Sequence, residues 1–127
     1  MKERIQEELE LLGRHWPNLE YRPDCRWVRI PDYSLQEGWS QPCTEVAFHI
    51  PIGYPGTPPY GICVPSGLTF NGARPNNYAE PASVPYPGTW GLLSWTAESW
   101  HPTADPVTGS NLRNWVLSFA DRFREGQ

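Results

Sequence analysis

Between Thr44 and Ile52 the chain reads Thr-Glu-Val-Ala-Phe-His-Ile-Pro-Ile, and its side chains alternate. Val46, Phe48 and Ile50 fall on one face of an extended strand, with Ala47 and His49 on the other. The strand has to stop there, because Gly53-Tyr54-Pro55-Gly56-Thr57-Pro58-Pro59 follows. Proline lacks the N–H that a sheet interior needs and glycine admits turn conformations, so this stretch reads as a rigid turn. A strand that is apolar on one face and ends in such a turn commits the chain to an antiparallel sheet packed on a core. The neighbouring strand candidates are Cys25–Ile30, ended by Pro31, and the short apolar run Tyr60–Val64. Together they predict a meander of three or four strands.

Helical periodicity flanks this sheet. Ile5, Leu9 and Leu12 recur at i, i+4 and i+7 and predict a helix over about Lys2 to Leu12, with Gly13 as its stop. Glu3, Glu7, Glu8 and Glu10 populate its solvated face. At the other end Leu112, Val116, Phe119 and Phe123, widened by Trp115 and Ala120, predict a core-facing helix over Asn111–Arg124, with Ser110 as N-cap. Between sheet and helix, Pro65 to Pro87 has no periodicity, and it carries Asn71-Gly72 and Pro75-Asn76-Asn77. A connector of this length inside a compact domain is usually functional or mobile. Trp90, Leu92, Leu93 and Trp95 then form an apolar cluster, and Trp100-His101-Pro102 opens a second turn-rich stretch. The expected architecture is one α+β domain over 1–127: helix, meander, long irregular segment, helix.

Composition narrows the function classes. The 127 residues include 15 Pro and 11 Gly without a repeat, which implies many turns rather than a low-complexity tract. A net charge of −4, with Lys2 as the sole lysine and the arginines scattered, argues against a nucleic-acid partner. No apolar run approaches the roughly 20 residues of a membrane span, and the amphipathic start is unlike a secretory leader. Cys25, Cys43 and Cys63 are odd in number and form no Cys-x-x-Cys pair, which disfavours a disulfide scaffold or zinc site. Buried free thiols in a reducing cytoplasm are the expectation. No Gly-x-Ser-x-Gly, His-Glu-x-x-His or phosphate-binding glycine loop occurs, which leaves a small hydrolase a distant third function class, and no cofactor is expected.

Two signatures give this order of elements a family resemblance. Tyr54-Pro55-Gly56-Thr57-Pro58-Pro59 resembles the Tyr-Pro-x-x-Pro-Pro that ends the third strand of ubiquitin-conjugating enzymes. Trp100-His101-Pro102 resembles their Trp-x-Pro before the helix that packs on the sheet, whose place Asn111–Arg124 takes. Trp27-Val28-Arg29-Ile30-Pro31-Asp32-Tyr33 and Glu37-Gly38-Trp39 are similar to one bacterial branch of that family. The resemblance implies a UBC-like fold and a role in bacterial ubiquitin-like protein modification. The implied partners are a ubiquitin-activating-like adenylating enzyme, a ubiquitin-like protein and a deubiquitinase-like protease. It also implies a docking role for the first helix.

The chain departs from the family where the chemistry sits. Arg74-Pro75-Asn76 stands where His-Pro-Asn is usual, and no cysteine follows it. Cys63 lies four residues after Pro59, inside a predicted strand. A thioester carrier needs a sulfur that accepts and releases an acyl group, so a hydroxyl is the remaining acceptor. The position of the family's cysteine, counted back from Trp100, lands near Leu92 and favours Ser94; counted forward from Asn76, it lands near Ser83. Ser94 also reads as merely a small residue between Leu93 and Trp95. Asn76 reads as an oxyanion donor or as a turn residue, and His101 as an acid–base group or a brace of its turn. His49 reads as a base or an exposed strand histidine, and His15 as a surface residue. Trp90, Trp95 and Trp100 read as a peptide groove or as core, with core expected for two of them. A non-catalytic variant that binds a ubiquitin-like protein or a peptide is the alternative function.

Overall fold

The computed structural model describes residues 2–125. Helix α1 (Lys2–His15) leads into strands β1 (Glu20–Arg22), β2 (Trp27–Ser34), β3 (Cys43–His49) and β4 (Tyr60–Pro65). Strands β5 (Tyr78–Ala79) and β6 (Trp90–Thr96) follow, then helices α2 (Leu112–Leu117) and α3 (Phe119–Glu125). The strands form one antiparallel sheet of order β1-β2-β3-β4-β6-β5. The class is α+β, as expected, but six strands replace the expected three or four. β1 and β5 carry two or three residues each and give no periodic signal. β6 reads in sequence as an apolar cluster because both its faces are covered: Leu93 meets the helices, while Trp90 and Leu92 face the other way.

The two cores explain the sequence pattern. Val46, Phe48 and Ile50 are buried under the helices with Ile5, Leu9 and Leu12 of α1. Phe48 meets the rings of Trp115 and Phe119 edge-on at 6.3 and 6.0 Å. On the opposite face Ala47 and Cys63 are covered by Tyr86 and Trp90, flanked by Ala82 and Val84. The segment over 65–87 is therefore not a free loop: Leu68 joins the helix-side core, Tyr78–Ala79 is β5 of the sheet, and Ala82, Val84 and Tyr86 cover the outer face. Its apolar residues are too widely spaced to show periodicity.

Several boundaries differ from the sequence reading. α1 runs through Gly13 to His15, and Trp16-Pro17 follow it. β2 begins at Trp27, because Arg26 takes a left-handed φ of 62° in the preceding turn. It then runs through Pro31, where Pro31 and Asp32 form a bulge between the pairs Ile30–Val46 and Tyr33–Thr44. β1 pairs no further than Arg29, so the missing proline N–H breaks no ladder on that side.

The last helix is two helices. The N-cap is Asn111, not Ser110, and it shares a reciprocal capping box with Asn114. The break falls at Ser118, whose hydroxyl donates to the Trp115 carbonyl at 2.6 Å and accepts from Trp95 Nε1 at 3.0 Å. Such back-bonding competes with the helical ladder. The apolar stripe keeps phase across it: Leu112, Trp115, Val116, Phe119 and Phe123 are all buried.

Tyr78 lies across Gly91 of β6, and its hydroxyl donates to Glu80 at 2.7 Å. A methyl at Gly91 would strike that hydroxyl and ring. Gly91→Ala is expected to cost about 1–3 kcal/mol in urea unfolding through overpacking. It should also loosen β5; an unchanged midpoint would show that Tyr78 does not hold this position.

Candidate functional site

The two signature turns meet in space. Trp100 Nε1 donates to the Pro55 carbonyl at 2.7 Å, and its ring lies 5.9 Å from that of Tyr54. Tyr54 is buried, and its hydroxyl donates to Glu8 of α1. Burial, followed by the bond to Glu8, raises the Tyr54 pKa far above the ordinary phenol value. The same Glu8 oxygen accepts the Leu112 amide at 2.6 Å, and the other accepts Arg4 Nε at 2.7 Å. One carboxylate thus joins α1, the proline-rich turn and the start of α2. Glu8 was expected on the solvated face of α1, but it is fully buried, because three donors converge on it. Glu3, Glu7 and Glu10 are exposed, as expected.

Ser94 stands in a second bulge. Tyr60 pairs with Thr96 and Ile62 with Leu93, so Ser94 and Trp95 together face Gly61. Gly61 has a φ of 80°, which a residue with a side chain rarely adopts. Bulges of this kind re-aim side chains and terminate pairing. Ser94 is exposed, and its amide donates to the Asn77 carbonyl at 2.9 Å. Asn76, also exposed, precedes that carbonyl by one residue, and its own carbonyl accepts Arg122 Nη2 at 2.6 Å. Ser94 and the Asn76–Asn77 turn, 17 residues apart in sequence between Asn77 and Ser94, thus form one edge of the sheet.

His101 is not joined to that edge. Its main chain pairs with Ser110 in a hairpin, with its N–H donating to Ser110 Oγ at 2.8 Å and its carbonyl accepting the Ser110 N–H at 3.0 Å. Among the described residues no hydrogen bond links its ring to Ser94. Ser83 lies elsewhere, in a groove of about 340 Å³ on the outer sheet face with His49 and Cys63. His49 is exposed beside Trp27, with ring centres 5.7 Å apart. Partial burial, then the Arg26 charge, lower its pKa below the ordinary histidine value. His15 is exposed, as expected, and meets Arg113 Nη2 at 3.1 Å.

Of the three tryptophans, Trp90 is core, while Trp95 and Trp100 are half-buried against it. Of the three thiols, expected to be buried, Cys63 is, Cys25 is half-buried and Cys43 is exposed at the first position of β3. Burial pushes the Cys63 thiol up to about 11. At pH 8 only about one Cys63 in a thousand is then thiolate, the reactive form. A disulfide reagent at that pH should therefore label Cys43 quickly and Cys63 only as the protein unfolds. Equal labelling rates would contradict the burial of Cys63.

Arg122 was absent from the sequence reading. Its spacing, three residues after Phe119 and seven after Trp115, places it on the buried face of the stripe, and only its charge hid that position. Burial lowers its pKa from the usual arginine value, and the Glu125 charge acts the other way. No group of three His, Cys, Asp or Glu side chains suited to a metal occurs among the described residues, and no helix there is long and apolar enough to cross a membrane. No protein-family model, curated protein or solved structure matches the chain.

Proposed function

We propose that the chain is a UBC-like component of a bacterial ubiquitin-like protein modification pathway, docking an adenylating enzyme and its ubiquitin-like protein without a thioester cysteine. The observation that carries this reading is the contact between its two family-like signatures, Trp100 on Pro55 and Tyr54. Segments 45 residues apart are held as one unit, which is what the resemblance needs if they mark one fold and not two chance strings. Cys63 supports the absence of thioester chemistry, since it is buried and poorly ionised.

In this reading Ser94 is the acyl acceptor. Its Oγ would attack the activated C-terminal carbonyl of the modifier, forming the ester C–O bond as the adenylate or thiolate leaves. The hydroxyl proton has to pass to a base. No side chain among the described residues hydrogen-bonds the Ser94 hydroxyl, so the base comes from the partner enzyme. Asn76, one residue before the carbonyl that accepts the Ser94 amide, is the oxyanion donor in this reading. That lack of a base also favours a second reading, a non-catalytic adaptor that binds the ubiquitin-like protein.

Incubation with the adenylating enzyme, the ubiquitin-like protein and ATP separates the two readings. The carrier reading expects an adduct on a denaturing gel that withstands thiol, yields to alkali, persists in Ser83→Ala and is lost in Ser94→Ala. An adduct that survives Ser94→Ala removes Ser94. No adduct, with binding retained, leaves the adaptor.

A further inference from the structure

The following inference rests on the reading of the Ser94 edge given above. Arg122 sits on the inward side of α3 with 2% of its surface exposed, between Phe119 and Phe123 of the core stripe. A guanidinium taken out of water there carries a desolvation penalty that an apolar residue would avoid. Packing α3 on the sheet does not require it, because Phe119 and Phe123 already fill the interface and the side chains of Trp39 and Gln36 hold the Phe123 and Ala120 carbonyls of α3. One thing the charge does do is reach a distant loop. Arg122 Nη2 donates to the Asn76 carbonyl at 2.6 Å, across 46 residues of sequence. A charge-assisted bond of that length is stronger than a neutral one.

The bond acts where the loop is hardest to hold. Asn76 is exposed, and Asn77 after it takes a left-handed φ of 55°. That conformation is uncommon outside glycine, though asparagine tolerates it better than most residues. The turn brings the Asn77 carbonyl onto the Ser94 amide at 2.9 Å. β5, which follows at once, is two residues long and too short to fix the turn alone. Arg122, Asn76, Asn77 and Ser94 therefore form a continuous chain of contacts from the core to the bulge. We propose that Arg122 is the positioning residue of the Ser94 edge: its bond to the Asn76 carbonyl holds the Asn76–Asn77 turn against the β6 bulge, so that the Asn76 amide and the Ser94 hydroxyl are presented together.

Arg122→Met and Arg122→Lys test this in the full chain. Two quantities are read: hydrogen exchange of the Ser94 amide, and the rate of adduct formation with adenylating enzyme, ubiquitin-like protein and ATP. For Arg122→Met, still unfolding cooperatively, the expected results are Ser94 exchange at least tenfold faster and transfer at least tenfold slower at saturating partner. The half-saturating partner concentration should stay the same. Arg122→Lys, which keeps a charged donor, should recover most of both effects. Should Arg122→Met fail to fold, Arg122→Gln takes its place with the same expectations. Ser94 exchange within threefold of wild type in the folded variant would overturn the proposal. So would a lysine variant as defective as the methionine one. If the wild type itself forms no adduct, the carrier reading fails, and the exchange comparison still decides whether Arg122 holds the edge.

Discussion

Glu8→Ala should lower the unfolding free energy by about 3–5 kcal/mol, the usual cost of removing one member of a buried charged pair. Glu8 is fully buried and accepts from Arg4, Tyr54 and the Leu112 amide. Without it a guanidinium, a phenol and a helix-terminal N–H lose their acceptor together. Glu8→Gln keeps the shape and one acceptor oxygen, so a smaller loss of about 1–3 kcal/mol is expected. Urea unfolding followed by circular dichroism measures both. A loss below about 1 kcal/mol for the alanine variant would place it among ordinary surface substitutions and contradict the burial of this network.

Phe119→Ala is the second large effect, expected at about 3–5 kcal/mol. Phe119 is fully buried, with the rings of Trp115, Tyr33 and Phe48 at 5.1, 6.0 and 6.0 Å. Those neighbours belong to α2, β2 and β3, so a collapse that fills the cavity would have to move three elements at once. Interiors this close-packed relax only in part. The same unfolding assay reports it, and a loss under about 1 kcal/mol would show that α3 does not anchor the core.

Periodicity made the helix-facing core legible in the sequence. The alternation of Val46, Phe48 and Ile50 and the stripe from Leu112 to Phe123 meet as expected. What stayed hidden has physical reasons. Tyr86, with Ala82 and Val84, covers the outer face from irregular chain, which has no period to read. β6 is covered on both faces and so loses the polar alternation that marks a strand. The helix break falls at Ser118, whose hydroxyl bonds back to Trp115 and accepts from Trp95, a long-range contact that helix propensity does not reveal.

The candidate site was legible as residues but not as geometry. Ser94 and Asn76 do share an edge, because β5 and β6 pair antiparallel between them. Among the described residues no hydrogen bond joins the His101 ring to them, and its main chain pairs with Ser110 beside the Pro102–Gly109 bridge. Glu8 and Arg122 stand at apolar-stripe spacing, three residues after Ile5 and Phe119, and were passed over because charged residues on amphipathic helices usually face water. Glu8 is held by Tyr54 and Leu112 as well as by nearby Arg4, and Arg122 reaches Asn76, 46 residues away.

The central claim is that this chain docks the machinery of a ubiquitin-like pathway, whether or not it carries the modifier. Calorimetric titration against the adenylating enzyme and, separately, the ubiquitin-like protein tests it most directly. The account predicts a saturable one-to-one complex with the adenylating enzyme. That complex should weaken as salt rises, because the proposed docking sets the exposed Glu3, Glu7 and Glu10 of α1 against a complementary basic surface. Absence of binding to either protein at low salt would contradict the account, and an affinity unchanged by salt would remove α1 as the docking face.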